Sequence, residues 1–415
     1  MAVDQEIVDF TAGVLLRYFR GGAPIEGEAP RLDRRRDVDL LKAHWSVSAP
    51  VRDLVKYVVS HAHEAQSLFR FETRINDAVA RGRIDARRTL QYRLQSGLPS
   101  AIVAEEPVRS FETGPNLVLA WVLREAGAYT ARLAIWQGDA SPYRTVIEDA
   151  QRDLRAVQRL EALRDPLRAV ALGRKPAPGA IQAAARSRQP IYRLAVHAYR
   201  LLQGVERGEP ESIDRIARSA LIGPLENWRR FELAVGLAAG EAIEAAGASP
   251  LRLLLLGGTS SGPIITAGRF DLYWQQQTSF YKAPPLEPSE AAVRDIVKAY
   301  GLPLSGDRPD FIVVDREAGE VAAVIEVKYL AGDTSTARFR EAADQVVRYA
   351  RGYRPPGAEP ALIARSLIAL SQAAPELAEA GAMVPASIDF ADIKAAKLAS
   401  WAGRLVAAPA PPPQP

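Results

Sequence analysis

The residues in this chain whose types and spacing could do chemistry lie in the segment 307–330, DRPDFIVVDREAGEVAAVIEVKYL. Glu326 and Lys328 stand two apart, and residues two apart in a strand share a face. Ile325, Val327 and Tyr329 then point the other way. Five apolar residues, Val321 to Ile325, lead into the acid–amine pair, which predicts a strand central in its sheet. Asp310 opens the preceding apolar run, and Pro309 fixes its entry. Burying a carboxylate and an ammonium costs on the order of several kcal/mol per ion unless partners or a metal compensate. Hard oxygen ligands from Asp310 and Glu326, with a backbone carbonyl such as that of Val327, suit Mg²⁺, which keeps several of its waters. Such an ion polarises a phosphate and lowers the pKa of its bound water. Lys328 would orient that water or offset charge growing on the phosphate. The chemistry so described is phosphodiester hydrolysis. The competing reading is a surface ion pair on an edge strand.

The elements that must position these residues follow from periodicity. Asp310–Val314 and Val321–Leu330 read as two strands joined by the turn-rich connection 315–320. Leu251–Leu256 and Arg269–Gln275 read as further strands, Ala337–Tyr353 as a helix and Ala361–Leu370 as another strand. Ahead of them, Ile222–Ala246 has helical spacing with a stop at 247–250. Helices are also predicted at 3–19 (stopped by Gly21 and Gly22), 51–69, 116–124, 143–170 (broken near Pro166) and 190–205. Arg31–Asp39 and 173–180 read as loops, and Ala101–Ala104 as a short strand. The expected organisation is an N-terminal mixed α/β domain at 1–130, a helical section at 131–215, a domain at 216–400 with a mixed central sheet flanked by helices, and a Pro-rich disordered tail at 401–415. The fold class is therefore α+β.

Composition bounds the setting. A chain of 415 residues exceeds one ordinary core, and its 48% apolar and 25% charged residues are those of a globular protein. No run of 18 apolar residues exists, so no membrane span is expected, and the N-terminus lacks the basic region of a secretory signal. Cysteine is absent, which removes disulfides and thiolate metal sites and fits a reducing cytoplasm. The net charge of +4 decides nothing about nucleic acid. Only eight lysines occur, so a lysine at the end of an apolar strand stands out.

The pattern Pro309-Asp310 … Glu326-Val327-Lys328 resembles the PD-(D/E)XK nuclease superfamily. The helix that follows supplies Gln345-Val346-Val347-Arg348-Tyr349, similar to the Q-x-x-x-Y motif of its RecB-like branch. At spacing four, Gln345 and Tyr349 share a helix face. The resemblance implies that they orient the nucleophile, the lysine or the DNA backbone. It also implies that 226–247 is the first core helix of a restriction-endonuclease-like fold, with Glu232, rather than Glu226 or Glu241, as its acid near the metal. Upstream, Gly82, Ile84, Asp85, Glu112, Thr113 and Asn116 match a segment similar to the McrBC-type restriction nuclease subunit (McrC-like), whose second strand acid is usually Asp rather than Glu. What this implies is a Mg²⁺-dependent endonuclease acting on DNA in a prokaryotic restriction or defence system, with Mn²⁺ able to substitute and an AAA+ NTPase as partner. The alternatives are a nuclease-fold subunit that only binds DNA or a partner, and a ribonuclease.

Other features carry less. Arginines 81, 83, 87, 88 and 93 could follow phosphates or simply be a solvated helix face. His61 and His63 diverge on a helix with no third ligand near, so a metal role is not expected. Gly257–Gly262 (GGTSSG) lacks the Lys-Ser/Thr of a phosphate loop, so it reads as a turn, and no NTPase is expected within the chain.

Overall fold

A computed structural model gives the architecture. It describes residues 2–20, 34–80, 82–137, 141–247, 251–254, 262–276, 278–284, 287–301, 308–330, 335–375, 377, 381 and 383–407. In chain order the first elements are α1 (Ala2–Arg20), α2 (Arg34–Trp45), α3 (Ala49–His61), β1 (Leu68–Asp77), β2 (Arg83–Ile84), α4 (Ala86–Ser96), β3 (Ala101–Ser110) and α5 (Gly114–Gln137). Helices follow: α6 (Arg144–Gln158), α7 (Glu161–Ala171), α8 (Pro178–Arg186), α9 (Pro190–Arg207), α10 (Pro210–Ile216) and α11 (Asn227–Gly247). Next come β4 (Leu251–Leu253), β5 (Ile265–Ala267), β6 (Phe270–Trp274), α12 (Pro288–Ala299), β7 (Phe311–Asp315), β8 (Glu320–Lys328) and α13 (Ser335–Tyr353). The last are α14 (Glu359–Arg365), β9 (Leu367–Leu370), β10 (Ala386–Asp389), α15 (Phe390–Lys394) and α16 (Leu398–Ala407).

The chain forms two compact units, one of residues 1–41, 135–144 and 213–415, the other of 42–134 and 145–212. In the second, a three-stranded antiparallel sheet of order β1-β3-β2 is accompanied by helices. Gly82, Asp85 and Asn116 do local structural work there. Gly82, at φ 112°, lies where a Cβ would fall 2.3 Å from the Glu105 carbonyl oxygen, so only glycine fits. Asp85 caps α4 by accepting the Arg88 amide. Asn116 is fully buried and donates to the Gln66 and Phe111 carbonyls. Arg83, Arg87 and Arg88 are exposed, while the Arg93 guanidinium donates to the Ala101 carbonyl.

The first unit holds a seven-stranded mixed sheet of order β10-β9-β8-β7-β6-β5-β4, parallel at β10/β9 and β9/β8 and antiparallel elsewhere. β8 is paired on both sides, with β7 and β9, as its apolar run predicts. Helix α13 packs on one face of the sheet, where Ile312, Val324, Val346, Tyr349 and Ile368 share a buried cluster. Helix α11 packs against β4, β5, β6 and β8. Its Gly236 permits this approach: a Cβ there would sit 2.6 Å from the Phe311 ring. α1 also belongs to this unit, packing on α11 and placing the Asp4 carboxylate against the Tyr329 hydroxyl, which donates to it.

Local assignments change in several places. The stretch 34–39 is helical, because buried Leu40 and Leu41 recruit the charged turn before them, with acidic Asp37 in that first turn. The helix expected over 51–69 ends at His61 and β1 begins at Leu68, its alternation hidden by exposure of nearly the whole strand. The break in 143–170 falls at Arg159–Leu160, and Pro166 sits buried inside α7. The loop at 173–180 runs into α8, which Pro178 starts. Within 361–370 a helix, α14, precedes the strand β9. Residues 401–407, expected in the disordered tail, instead finish α16 with Trp401 and Leu405 buried. The stops at Gly21-Gly22 and 248–250, residues 31–33, Arg81, nearly all of the 257–262 turn and the rest of the tail, 408–415, lie outside the described residues.

Candidate active site

The β7–β8 hairpin brings Asp310 and Glu326 together. Phe311 pairs with Ile325, so Asp310, just before β7, lies level with the end of β8 that carries Glu326. The Val327 amide donates to Asp310 Oδ2 at 2.8 Å, tying the acid to the neighbouring strand. Glu326 and Lys328 leave the same face of β8, with Lys328 Nζ 2.9 Å from Glu326 Oε1. The glutamate is 2% exposed and the lysine side chain 13%, which removes the surface ion pair as a description.

Helix α13 covers that face. Lys328 Nζ donates to Gln345 Oε1 at 2.5 Å, and Tyr349, one turn on, is buried near enough to the acids for their charge to raise its hydroxyl pKa after burial has done so. Glu341, one turn before Gln345, lies 3.3 Å from the same ammonium. Sequence reasoning missed Glu341, although its i−4 spacing from Gln345 puts it on the same helix face.

From α11 comes Glu232, 4% exposed. Its Oε2 accepts from Trp274 Nε1 at 2.7 Å and from Gln275 Nε2 at 2.8 Å. Neither donor was singled out from the sequence; both stand at the end of an otherwise ordinary alternating strand. The other two acids considered on this helix lie elsewhere: Glu241 pairs with Arg17, and Glu226 is exposed. His61 stacks on Tyr57 at 4.0 Å, outside any acid cluster among the described residues.

The electrostatics follow from burial. Desolvation, then the charge of Asp310, pushes Glu232 up to about 9 and Glu326 up to about 8. Desolvation raises Asp310 to about 6 even though the Val327 amide and Lys328 pull it down. Burial opposes the charge on Lys328, but Glu326, Asp310 and Glu341 together more than offset it, so the ammonium is favoured. Burial thus disfavours ionising all three acids together, while the ammonium of Lys328 keeps its charge. Glu326 Oε2 is buried with no hydrogen-bond partner. A buried acceptor left unpaired costs about 1–3 kcal/mol.

No three acidic or His side chains among the described residues form a ready-made cation cage. Mg²⁺ asks for less, being held by one or two carboxylates with waters completing its shell. The orphaned Glu326 oxygen, the adjoining Asp310 carboxylate and the all-oxygen donor set fit such an ion.

No protein-family model and no curated protein matches the chain. Among solved structures it is similar to the refined half-complex from a tetradecameric assembly of Thermococcus gammatolerans McrB AAA+ hexamers with bound McrC. Identity is 12%, coverage is 96% of this chain and 75% of that chain, and the TM-score is 0.27. A likeness that low carries no argument, and the functional reading stands on the site itself. No helix among the described residues is long and apolar enough to cross a membrane.

Proposed function

We propose that the unit with the seven-stranded sheet is a metal-dependent nuclease that hydrolyses DNA phosphodiester bonds. The observation that carries this reading is the meeting of three carboxyl groups and one ammonium, from α11, the start of β7, and β8, in one buried pocket. A fold selected for stability alone would fill that volume with apolar side chains.

In this reading Asp310 and Glu326, with the Val327 carbonyl, hold Mg²⁺, and Mn²⁺ substitutes. The ion supplies Lewis acidity and a water of lowered pKa. Lys328 stays charged between Glu326 and Gln345 and offsets negative charge that develops on the phosphate. Gln345 fixes the ammonium, Tyr349 closes the pocket behind it, and Glu232 supplies a third acid beside Asp310. The role in prokaryotic DNA restriction or defence, the membership of the PD-(D/E)XK superfamily and the AAA+ NTPase partner rest on the sequence resemblance.

The test is to incubate the purified chain with linear and supercoiled DNA, and separately with RNA, in Mg²⁺ and in EDTA. Metal-dependent cleavage of DNA supports the proposal. Cleavage of RNA alone would replace the substrate. No cleavage together with no Mn²⁺ binding would leave a nuclease-fold subunit that binds DNA or a partner.

A further inference from the structure

Gln275 follows β6 and stands opposite Asp310, beyond the last paired residues Trp274 and Phe311. Its backbone has φ 48°, in the left-handed region that glycine favours and that glutamine rarely adopts. In that conformation one residue bonds the Glu232 side chain and the Asp310 backbone. Its amide N–H donates to the Asp310 carbonyl at 2.8 Å, and its side-chain amide donates to Glu232 Oε2 at 2.8 Å. The neighbouring Trp274 indole donates to the same oxygen and stacks on Phe311, with ring centroids 6.4 Å apart and nearly parallel.

If this position served only to turn the chain out of β6, glycine would serve better, because it adopts positive φ without steric penalty. Unfavourable backbone geometry held at a site by its surroundings is a mark of function. The side chain that glycine would lack is the one that holds Glu232. We propose that Gln275 is a positioning residue: it clamps Glu232 of the helix to the Asp310 backbone and so fixes the third acid beside a carboxylate that receives the cation. This rests on the nuclease reading above. Its effect is on the cation, because a group that orients ligands sets metal affinity by about 10–100-fold.

The experiment compares the full-length parent with Gln275→Gly and Gln275→Met by Mn²⁺ calorimetry, thermal melting, and the metal dependence of DNA cleavage. Gln275→Gly keeps the turn and removes the amide. Gln275→Met keeps the bulk and removes the donor. The expected result is that Gln275→Gly melts no lower than the parent yet binds Mn²⁺ about tenfold or more weakly. Its cleavage should need correspondingly more metal and recover at saturation, and Gln275→Met should share the affinity loss. If the parent binds Mn²⁺ and Gln275→Gly binds it equally tightly, the positioning role is wrong while the nuclease reading stands. If the parent itself neither binds Mn²⁺ nor cuts nucleic acid, both fall together.

Discussion

Lys328 and Glu326 leave the same face of β8 two residues apart, with Nζ 2.9 Å from Oε1. The contact occupies one carboxylate oxygen and leaves the other, Oε2, buried and unpaired. A lysine placed there engages one oxygen of the acid and leaves the other available. In the proposed reading that free oxygen would take a dication, and several expectations result.

Glu232→Gln separates stability from metal binding. Burial and then the charge of Asp310 push the Glu232 carboxyl up to about 9, which favours its protonated form. A glutamine is then a near-isostere: its carbonyl can accept from Trp274 and Gln275, and its amide can face Asp310. The variant should melt at or above the parent temperature at about pH 8 while Mn²⁺ affinity falls roughly tenfold. A lowered melting temperature with parental Mn²⁺ affinity would show Glu232 to be a structural group.

The raised acids fix the pH dependence. Asp310, Glu232 and Glu326 have ordinary values of 3.8, 4.5 and 4.5 and folded values of about 6, 9 and 8. Between those limits the folded chain binds more protons than the unfolded one. The contribution of these groups to stability therefore falls as pH rises through about 4 to 9. A cation must displace those protons, so Mn²⁺ should bind more tightly at about pH 8 than at about pH 6, with proton uptake by the buffer. Calorimetry in buffers of different ionisation enthalpy measures both, and pH-independent affinity would contradict the electrostatics described.

Gly236→Ala should destabilise the unit. The new Cβ would lie 2.6 Å from the ring of Phe311, which is fully buried and stacked on Trp274, so it has little room to turn. Overpacking of this kind costs about 1–3 kcal/mol. Because Phe311 follows Asp310, cleavage should fall as well as the denaturation midpoint. A variant with unchanged stability would mean that α11 can slide along the sheet.

Much of the site was legible in the sequence because it is encoded locally. Glu326 and Lys328 are two apart on one strand, Gln345 and Tyr349 four apart on one helix, and five consecutive apolar residues announced the buried strand that carries the pair. What was not legible depends on contacts between distant segments. Trp274 and Gln275 matter only because α11 brings Glu232 over the end of β6. The docking of α1 on α11 joins residues more than 200 apart, as in Arg17–Glu241. The strand β1 was hidden because its side chains stay exposed, which erases the in–out alternation that marks a half-buried strand. Pro166 misled because it sits inside α7 at the sixth residue, buried in the packing, while the break comes ahead of it at Arg159–Leu160.

The most direct measurement is Mg²⁺-dependent DNA cleavage by the parent beside Lys328→Ala, with circular dichroism and Mn²⁺ titration on both. The parent should cut, and the variant should keep its fold and lose about 100-fold or more in rate. It should still bind Mn²⁺ through Asp310 and Glu326, more weakly near neutral pH because Glu326 loses the ammonium that holds its pKa down. A folded variant that cuts as fast as the parent would contradict the assignment of this pocket as the catalytic centre.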